Sequence, residues 1–253
     1  GKVVTYTAPV GTDNCSGVTT TRTAGLASGS NFPVGVNTVT YTATDGAGNT
    51  TSCSFTVTIV DNIPPVLACP SNISVNAAAG TCAKVVTYTA PVGTDNCSGV
   101  TTARTAGLAS GSSFPVGVST VTYTATDGAG NTTSCSFTVT VVDNIPPVLA
   151  CPSNISTNAA AGTCGKVVTY TAPVGTDNCS GVTTARTAGL ASGSTFPVGV
   201  STVTYTATDG AGNTTSCSFT VTVVDNIPPV IAGCPSNITV NAGAACTATA
   251  TWA

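Results

Sequence analysis

Phe114-Pro-Val-Gly-Val-Ser-Thr-Val-Thr-Tyr-Thr-Ala-Thr-Asp-Gly-Ala-Gly-Asn-Thr-Thr-Ser-Cys-Ser-Phe-Thr-Val-Thr-Val-Val-Asp143 is the stretch whose reading decides the fold. It recurs almost unchanged from Phe32 and from Phe196, a period of 82 residues. Val121, Tyr123 and Ala125 alternate with Thr122, Thr124 and Thr126. A period of two marks a half-buried strand. Asp127-Gly-Ala-Gly-Asn131 is turn chemistry, since glycine and asparagine tolerate positive φ. A second alternating run follows, with Cys135, Phe137, Val139 and Val141 on one face and Ser136, Thr138 and Thr140 on the other. The unit reads as a β-hairpin with one dry face, which the rest of each repeat must cover.

Outward from the hairpin, the chain divides into a partial repeat, two whole ones and a tail. Residues 1–60 form a repeat that lacks its first strand. Residues 61–142 and 143–224 are complete, and 225–253 begin another. Lys2–Ala8, Lys84–Ala90 and Lys166–Ala172 read as strands, and Val18–Thr23 as a polar strand. Asp61-Asn-Ile-Pro-Pro65 reads as a stiff, extended connector, because proline fixes φ. Val66–Cys69 and Ile73–Val75 form a first strand broken by Pro70, which implies an edge or a bulge. In the tail a first strand and then Thr247–Ala253 are expected to be extended. About seven short strands in some 80 residues is the signature of an immunoglobulin-like sandwich. The fold class is therefore all-β: tandem immunoglobulin/fibronectin-III-like β-sandwich domains.

Only 6% of residues are charged, histidine is absent, and all nine acids are aspartate. No basic patch exists for nucleic acid, and no apolar run approaches the ~20 residues of a spanning helix. With neither His nor Glu there is no obvious general base near neutral pH. No phosphate loop, nucleophile elbow or dinucleotide fingerprint occurs, so the chain reads as a non-enzyme. The twelve cysteines fall four to a repeat, without C-x-x-C pairs. That pattern in small, core-poor domains reads as disulfides in an oxidising compartment, hence an extracellular or cell-surface protein.

The ordered elements Asp-Asn-Ile-Pro-Pro, Cys-Pro-Ser-Asn-Ile, Thr-Asp-Asn-Cys-Ser-Gly, Phe-Pro-Val-Gly, Tyr-Thr-Ala-Thr-Asp-Gly-Ala-Gly-Asn and Cys-Ser-Phe-Thr-Val cover essentially the whole chain. They resemble the hyalin repeat (HYR) domain family in tandem. The resemblance implies an Ig/fibronectin-III-like fold, an extracellular setting, a link to adhesion and matrix proteins, and no catalytic residues. Four cysteines per repeat allow three pairings. The favoured one joins Cys69 to Cys135 and Cys82 to Cys97, with Cys151–Cys217 and Cys164–Cys179 as counterparts. The first and last strands of a sandwich begin at one pole, and family members with only two cysteines keep the first and fourth. For Cys82 to reach Cys97, the segment Pro91–Asn96 must fold back. Each bridge contributes roughly 2–4 kcal/mol.

Topology gathers Asp61, Asp95 and Asp127 at one pole, and Asp143, Asp177 and Asp209 likewise. With asparagine and backbone carbonyls they form a donor set for Ca²⁺; the same residues also serve as turn caps. N-x-[ST] sequons occur at Asn14, Asn49, Asn72, Asn96, Asn131, Asn154, Asn178, Asn213 and Asn237. They mark candidate glycosylation sites. Cys15, Cys53, Cys234 and Cys246 lack partners within their partial repeats. Either the sequence is a window on a longer array, or the tail donates a strand to a second copy with Cys246–Cys15′ and Cys234–Cys53′ bridges. The expected function is a stiff rod or homopolymeric filament, with the chain itself as partner. The alternatives are a module binding surface glycans or a receptor, and a spacer attached to an enzyme.

Overall fold

The computed structural model describes residues 1–251, which fall into two compact units. The first holds residues 1–78 and 83–142; the second holds residues 79–82 and the described residues from Asp143 onward. The described residues contain strands and turns and no helix.

In the first unit the partial repeat supplies β1 (Lys2–Val3), β2 (Thr19–Ala24), β3 (Asn31–Phe32), β4 (Gly35–Thr44) and β5 (Thr50–Ile59). The complete repeat supplies β6 (Ile73–Asn76), β7 (Ala83–Val86), β8 (Thr101–Ala106), β9 (Ser112–Pro115), β10 (Gly117–Thr126) and β11 (Thr132–Val142). One sheet runs β6-β11-β10-β8 and a small second sheet pairs β7 with β9. The second unit repeats the plan. Its elements are β12 (Ile155–Asn158), β13 (Gly165–Val168), β14 (Thr183–Ala188), β15 (Ser194–Pro197), β16 (Gly199–Thr208) and β17 (Thr214–Val224), with sheets β12-β17-β16-β14 and β13-β15.

The alternation decides which side chains go inward. Tyr123 stands opposite Cys135 and Val121 opposite Phe137 in the β10–β11 register. Val121, Tyr123, Ala125, Phe137, Val139 and Val141 are all buried, and Phe114, Val86 and Leu67 close over them. On the wet face, Thr122 and Ser136 hydroxyls lie 2.9 Å apart and those of Thr124 and Ser134 2.8 Å apart. Such cross-strand hydroxyl pairs add to hairpin stability. Gly107, at φ +81°, sits where a Cβ would lie 2.3 Å from the Thr120 carbonyl oxygen, so no other residue fits there.

Three expectations about the strands are corrected. The strand at Lys84 ends at Val86 rather than Ala90, and its counterparts are as short. The chain beyond it is held by a side chain instead. The Tyr88 hydroxyl donates to the Leu108 carbonyl at 2.7 Å, and Ser110 Oγ bonds both the amide and the carbonyl of Tyr88. The strand broken by Pro70 is two separate pieces. Val66 bridges Thr94, whereas β6 runs parallel to β11 with Ile73 opposite Val139. Proline 70 thus marks a change of pairing partner. In the tail, residues 225–251 form no strand; Trp252 and Ala253 of the expected Thr247–Ala253 strand lie outside the described residues. β6 and β12 are strands because β11 and β17 pair with them, and the tail finds no such neighbour.

The partial repeat shows what that neighbour contributes. Its main sheet is β2-β4-β5 only. Phe55, Val57 and Ile59 are half-buried, whereas Phe137, Val139 and Val141 in the same positions are buried. Amides of β5 are therefore expected to exchange with deuterium well before those of β11, measured by mass spectrometry under native conditions.

Tyr88 packs edge-on against Phe137 at 5.0 Å and Tyr123 at 6.4 Å. Burial, then the hydrogen bond and charge of Tyr123, push its phenol up to about 12 from 10.0, and Tyr170 behaves alike. The raised value favours the neutral form in the fold. Its contribution is fully present below pH 10 and lost as pH rises towards 12. Urea unfolding between pH 9 and 12 is expected to show that loss, reduced in Tyr88→Phe, which also costs about 1 kcal/mol at neutral pH through the hydrogen bond.

Candidate functional site

The chemistry-bearing side chains collect where the β10–β11 turn meets the connector and the loop before β8. Asp127 builds the turn. Its Oδ1 accepts the amides of Ala129 and Asn131 at 2.9 and 2.8 Å, and its Oδ2 accepts Asn131 Nδ2 at 2.8 Å. These bonds from Asn131, with the other turn amides, hold the Asp127 carboxyl below its ordinary value despite burial. Asn131 Nδ2 also donates to the Asp61 carbonyl at 3.1 Å, tying hairpin to connector. In the second unit Asp209 and Asn213 repeat every one of these bonds, with Asp143 in the place of Asp61. Asp45 does the same for its own turn.

The six aspartates expected to share cations therefore separate into two kinds. Asp127 and Asp209 spend both oxygens on turn donors. Asp61 and Asp95 converge with Cys97, and Asp143 and Asp177 with Cys179, each trio having one ligand atom per residue within 4.8 Å of the others. Asp61 and Asp143 are buried. Asp95 and Asp177 each accept the amide of the cysteine two residues on, at 2.9 Å. Cys97 is a free thiol, and the Asp61 carboxylate beside it first, then burial, raise its pKa.

The disulfides run Cys69–Cys135, Cys151–Cys217 and Cys82–Cys179. The first two join β11 and β17 to the segment before β6 and β12, with Cα atoms 5.6 Å apart. The expected Cys82–Cys97 and Cys164–Cys179 bridges do not form. The second unit shows why. The Cys164 carbonyl accepts the amide of Val198, just before β16 begins, while Ser180, next to Cys179, lies against Gly210 just past its far end. Ten residues of strand separate those ends, about 33 Å at roughly 3.3 Å per residue. A disulfide needs Cα atoms within about 7 Å. Cys82 instead meets Cys179 of the following repeat at a Cα distance of 4.8 Å. Residues 79–82 accordingly belong to the second unit, where the Thr81 carbonyl accepts Asn178 Nδ2 at 3.0 Å. The signal for this pairing was the straight run between Cys82 and Cys97. Cys15, Cys53, Cys164, Cys234 and Cys246 are exposed free thiols.

The sequons differ in what their amides already do. Asn131 and Asn213 each commit Nδ2 to two acceptors, and Asn49 and Asn178 use theirs within the fold. Asn14, Asn72, Asn154 and Asn237 are exposed. Asn72 and Asn154 take the amides of Thr138 and Thr220 on Oδ1. Asn96 lies beside Asp95 and Cys97. A groove of about 610 Å³ is lined by Asp13–Ser16 and Asp45–Ala47 with Asn49.

The family of HYR domains matches residues 1–59, 60–141 and 142–223. This chain belongs to the HYR domain family. Hyalin of Strongylocentrotus purpuratus is 41% identical over 227 residues, 86% of this chain and 19% of that protein. Hyalin of Lytechinus variegatus is 40% identical over 240 residues, 91% of this chain and 45% of that protein. The chain thus spans less than half the length of either hyalin. Among solved structures, mouse cadherin-23 EC22–24 aligns over 88% of the chain and 92% of its own, at 16% identity and a TM-score of 0.36. The HYR repeats, then, keep Cys69–Cys135 and Cys151–Cys217 within a repeat and use Cys82–Cys179 to bond one repeat to the next. Non-reducing peptide mapping is expected to recover Cys82 linked to Cys179. A Cys82–Cys97 peptide in its place would refute that connectivity.

Proposed function

We propose that this chain is an extracellular structural and adhesive protein, in which tandem HYR domains form a stiff rod or a homopolymeric filament. The observation that carries the reading is the Cys82–Cys179 bond, which adds a second covalent path between consecutive repeats beside the Asp143–Pro147 connector. A bond closing a loop of 97 residues restricts the unfolded chain by about 4–5 kcal/mol in chain-entropy terms. Near-identical repeats joined in the same way propagate a regular array.

An oxidising, extracellular setting is supported by the three disulfides. Among the described residues no helix is long and apolar enough to cross a membrane. The absence of His and Glu from the sequence favours a building element over a catalyst.

Electron microscopy of the native material is expected to show filaments with a regular axial repeat that shorten or disperse on reduction. Discrete compact particles at all concentrations would remove the filament reading. As a second check, a protease site placed between Asp143 and Pro147 is expected to release two fragments from the cut chain only after reduction.

A further inference from the structure

The closed joint between consecutive repeats has two halves. One is Gly80-Thr81-Cys82, which turns through Gly80 at φ +72° and is closed by the Ala78 amide on the Ala83 carbonyl at 2.8 Å. The other is the loop Asp177-Asn-Cys-Ser-Gly181, whose Asn178 Nδ2 donates to the Thr81 carbonyl and whose Cys179 bonds Cys82. The hairpin turn adds a third contact, from Asn213 Nδ2 to the Asp143 carbonyl of the connector at 3.1 Å.

The first half recurs residue for residue in Gly162-Thr163-Cys164. Gly162 is at φ +75°, the Ala160 amide donates to the Gly165 carbonyl at 2.8 Å, and Cys164 is an exposed thiol. The Ala159 amide donates to the Val224 carbonyl at 2.9 Å, which sets this segment beside the start of another connector, Asp225-Asn-Ile-Pro-Pro229. That connector keeps its own turn, with the Ile227 amide on Asp225 Oδ1 at 3.0 Å, as the Ile145 amide is on Asp143 Oδ1.

The second half recurs residue for residue in Asp13-Asn-Cys-Ser-Gly17. Asp13 Oδ2 accepts the Cys15 amide at 3.1 Å, the bond that also shapes the Asp177 loop. Cys15 is an exposed thiol. Asn49 stands where Asn213 does in its own turn, and its Nδ2 donates to Asp45 and to no connector carbonyl. Between loop and turn lies the groove of about 610 Å³ lined by Asp13–Ser16, Asp45–Ala47 and Asn49. With a thiol in its lining and a spare amide hydrogen beside it, this groove offers what its counterpart uses to hold a connector and a Gly-Thr-Cys segment.

Resting on the filament reading above, we propose that the occupant of this groove is a second copy of the chain, whose residues 225–229 lie along Asn49 and whose Cys164 bonds Cys15. The closed joint pairs the second cysteine of one repeat with the third of the next. By that rule Cys15 takes Cys164 of the other copy, and the expected Cys246–Cys15′ bridge gives way to Cys164–Cys15′. The two thiols lose two protons and two electrons to a disulfide oxidant such as oxidised glutathione, which leaves as two thiols, and one S–S bond joins the copies. Docking of the connector brings these two sulfurs to a high effective concentration, so they close ahead of the other exposed thiols.

The test uses the full chain, with Cys82–Cys179 confirmed by mapping, in a buffer of oxidised and reduced glutathione. Non-reducing electrophoresis is expected to show a ladder of reducible oligomers, and peptide mapping to find Cys15–Cys164 as the main link between copies. Cys15→Ser and Cys164→Ser are each expected to stay monomeric, and an equimolar mixture of the two to give a dimer and nothing larger. Adding Asn14→Ala to the Cys164→Ser partner is expected to slow that dimer about fivefold, through loss of one hydrogen bond. The map of the unaltered chain needs no variant, so a substitution that misfolds leaves the test intact. An unchanged rate with Asn14→Ala would overturn the docking, because chance collision of thiols would then suffice. Oligomers linked mainly through Cys53, Cys97, Cys234 or Cys246, or fibres built from unlinked copies, would overturn this joint and leave the filament reading standing. Monomers under oxidation, with no fibres by microscopy, would remove both.

Discussion

A two-stranded ribbon with one apolar face cannot persist in water unless something covers that face. Every repeat in this chain is an answer to that constraint. β10 and β11 present Val121, Tyr123, Phe137 and Val139 on one side, and β6, β7, β9 and the aromatic ring of Tyr88 close over them. The partial repeat has the same ribbon in β4 and β5 with less to cover it, and its inward residues are correspondingly wetter. β5 and β11 differ over their shared length only where Ile59 stands for Val141, which makes this an internal control. Residue type sets which face is dry, and the neighbouring strand sets how dry it becomes.

The turn at the end of the ribbon does a second job. Asp127 and Asn131 close it with bonds that any Asp-Gly-Ala-Gly-Asn turn could make. The remaining hydrogen of the Asn131 amide then reaches across to the Asp61 carbonyl. A residue whose first duty is local thus anchors the connector that enters the repeat. This leaves the connector's own carboxylate close to the loop cysteine, Asp61 to Cys97 and Asp143 to Cys179. Loop, turn and connector meet because the strand register brings their ends together, not because their sequences are adjacent.

What was legible in the sequence was whatever period two and turn chemistry dictate. The hairpin, its faces, the Asp127–Asn131 turn and the all-β class all follow from residues close together in the chain. What was not legible depended on distant partners. The segment after Val86 looks like a continued strand, but Tyr88 and Ser110 hold it without ladder pairing. Pro70 signals an interruption without saying that β6 will pair in parallel with β11. Cys82 and Cys97 are close in sequence, yet they stand at opposite ends of a ten-residue strand in the plan both units share. Within the candidate site, the aspartates were visible as a set. Their division into turn residues with both oxygens filled and junction residues grouped with a cysteine required knowing which amides each one faces.

The grouping of residues 79–82 with the following unit has a consequence for how this material is divided. The 82-residue period is a unit of sequence but not a closed chemical one. Excised alone, a repeat would keep its internal bridge and expose one unmatched sulfur near each end. Such a piece is a bifunctional monomer, with a valence of two, and oxidising conditions would drive it towards step-growth chains instead of a stable single bead.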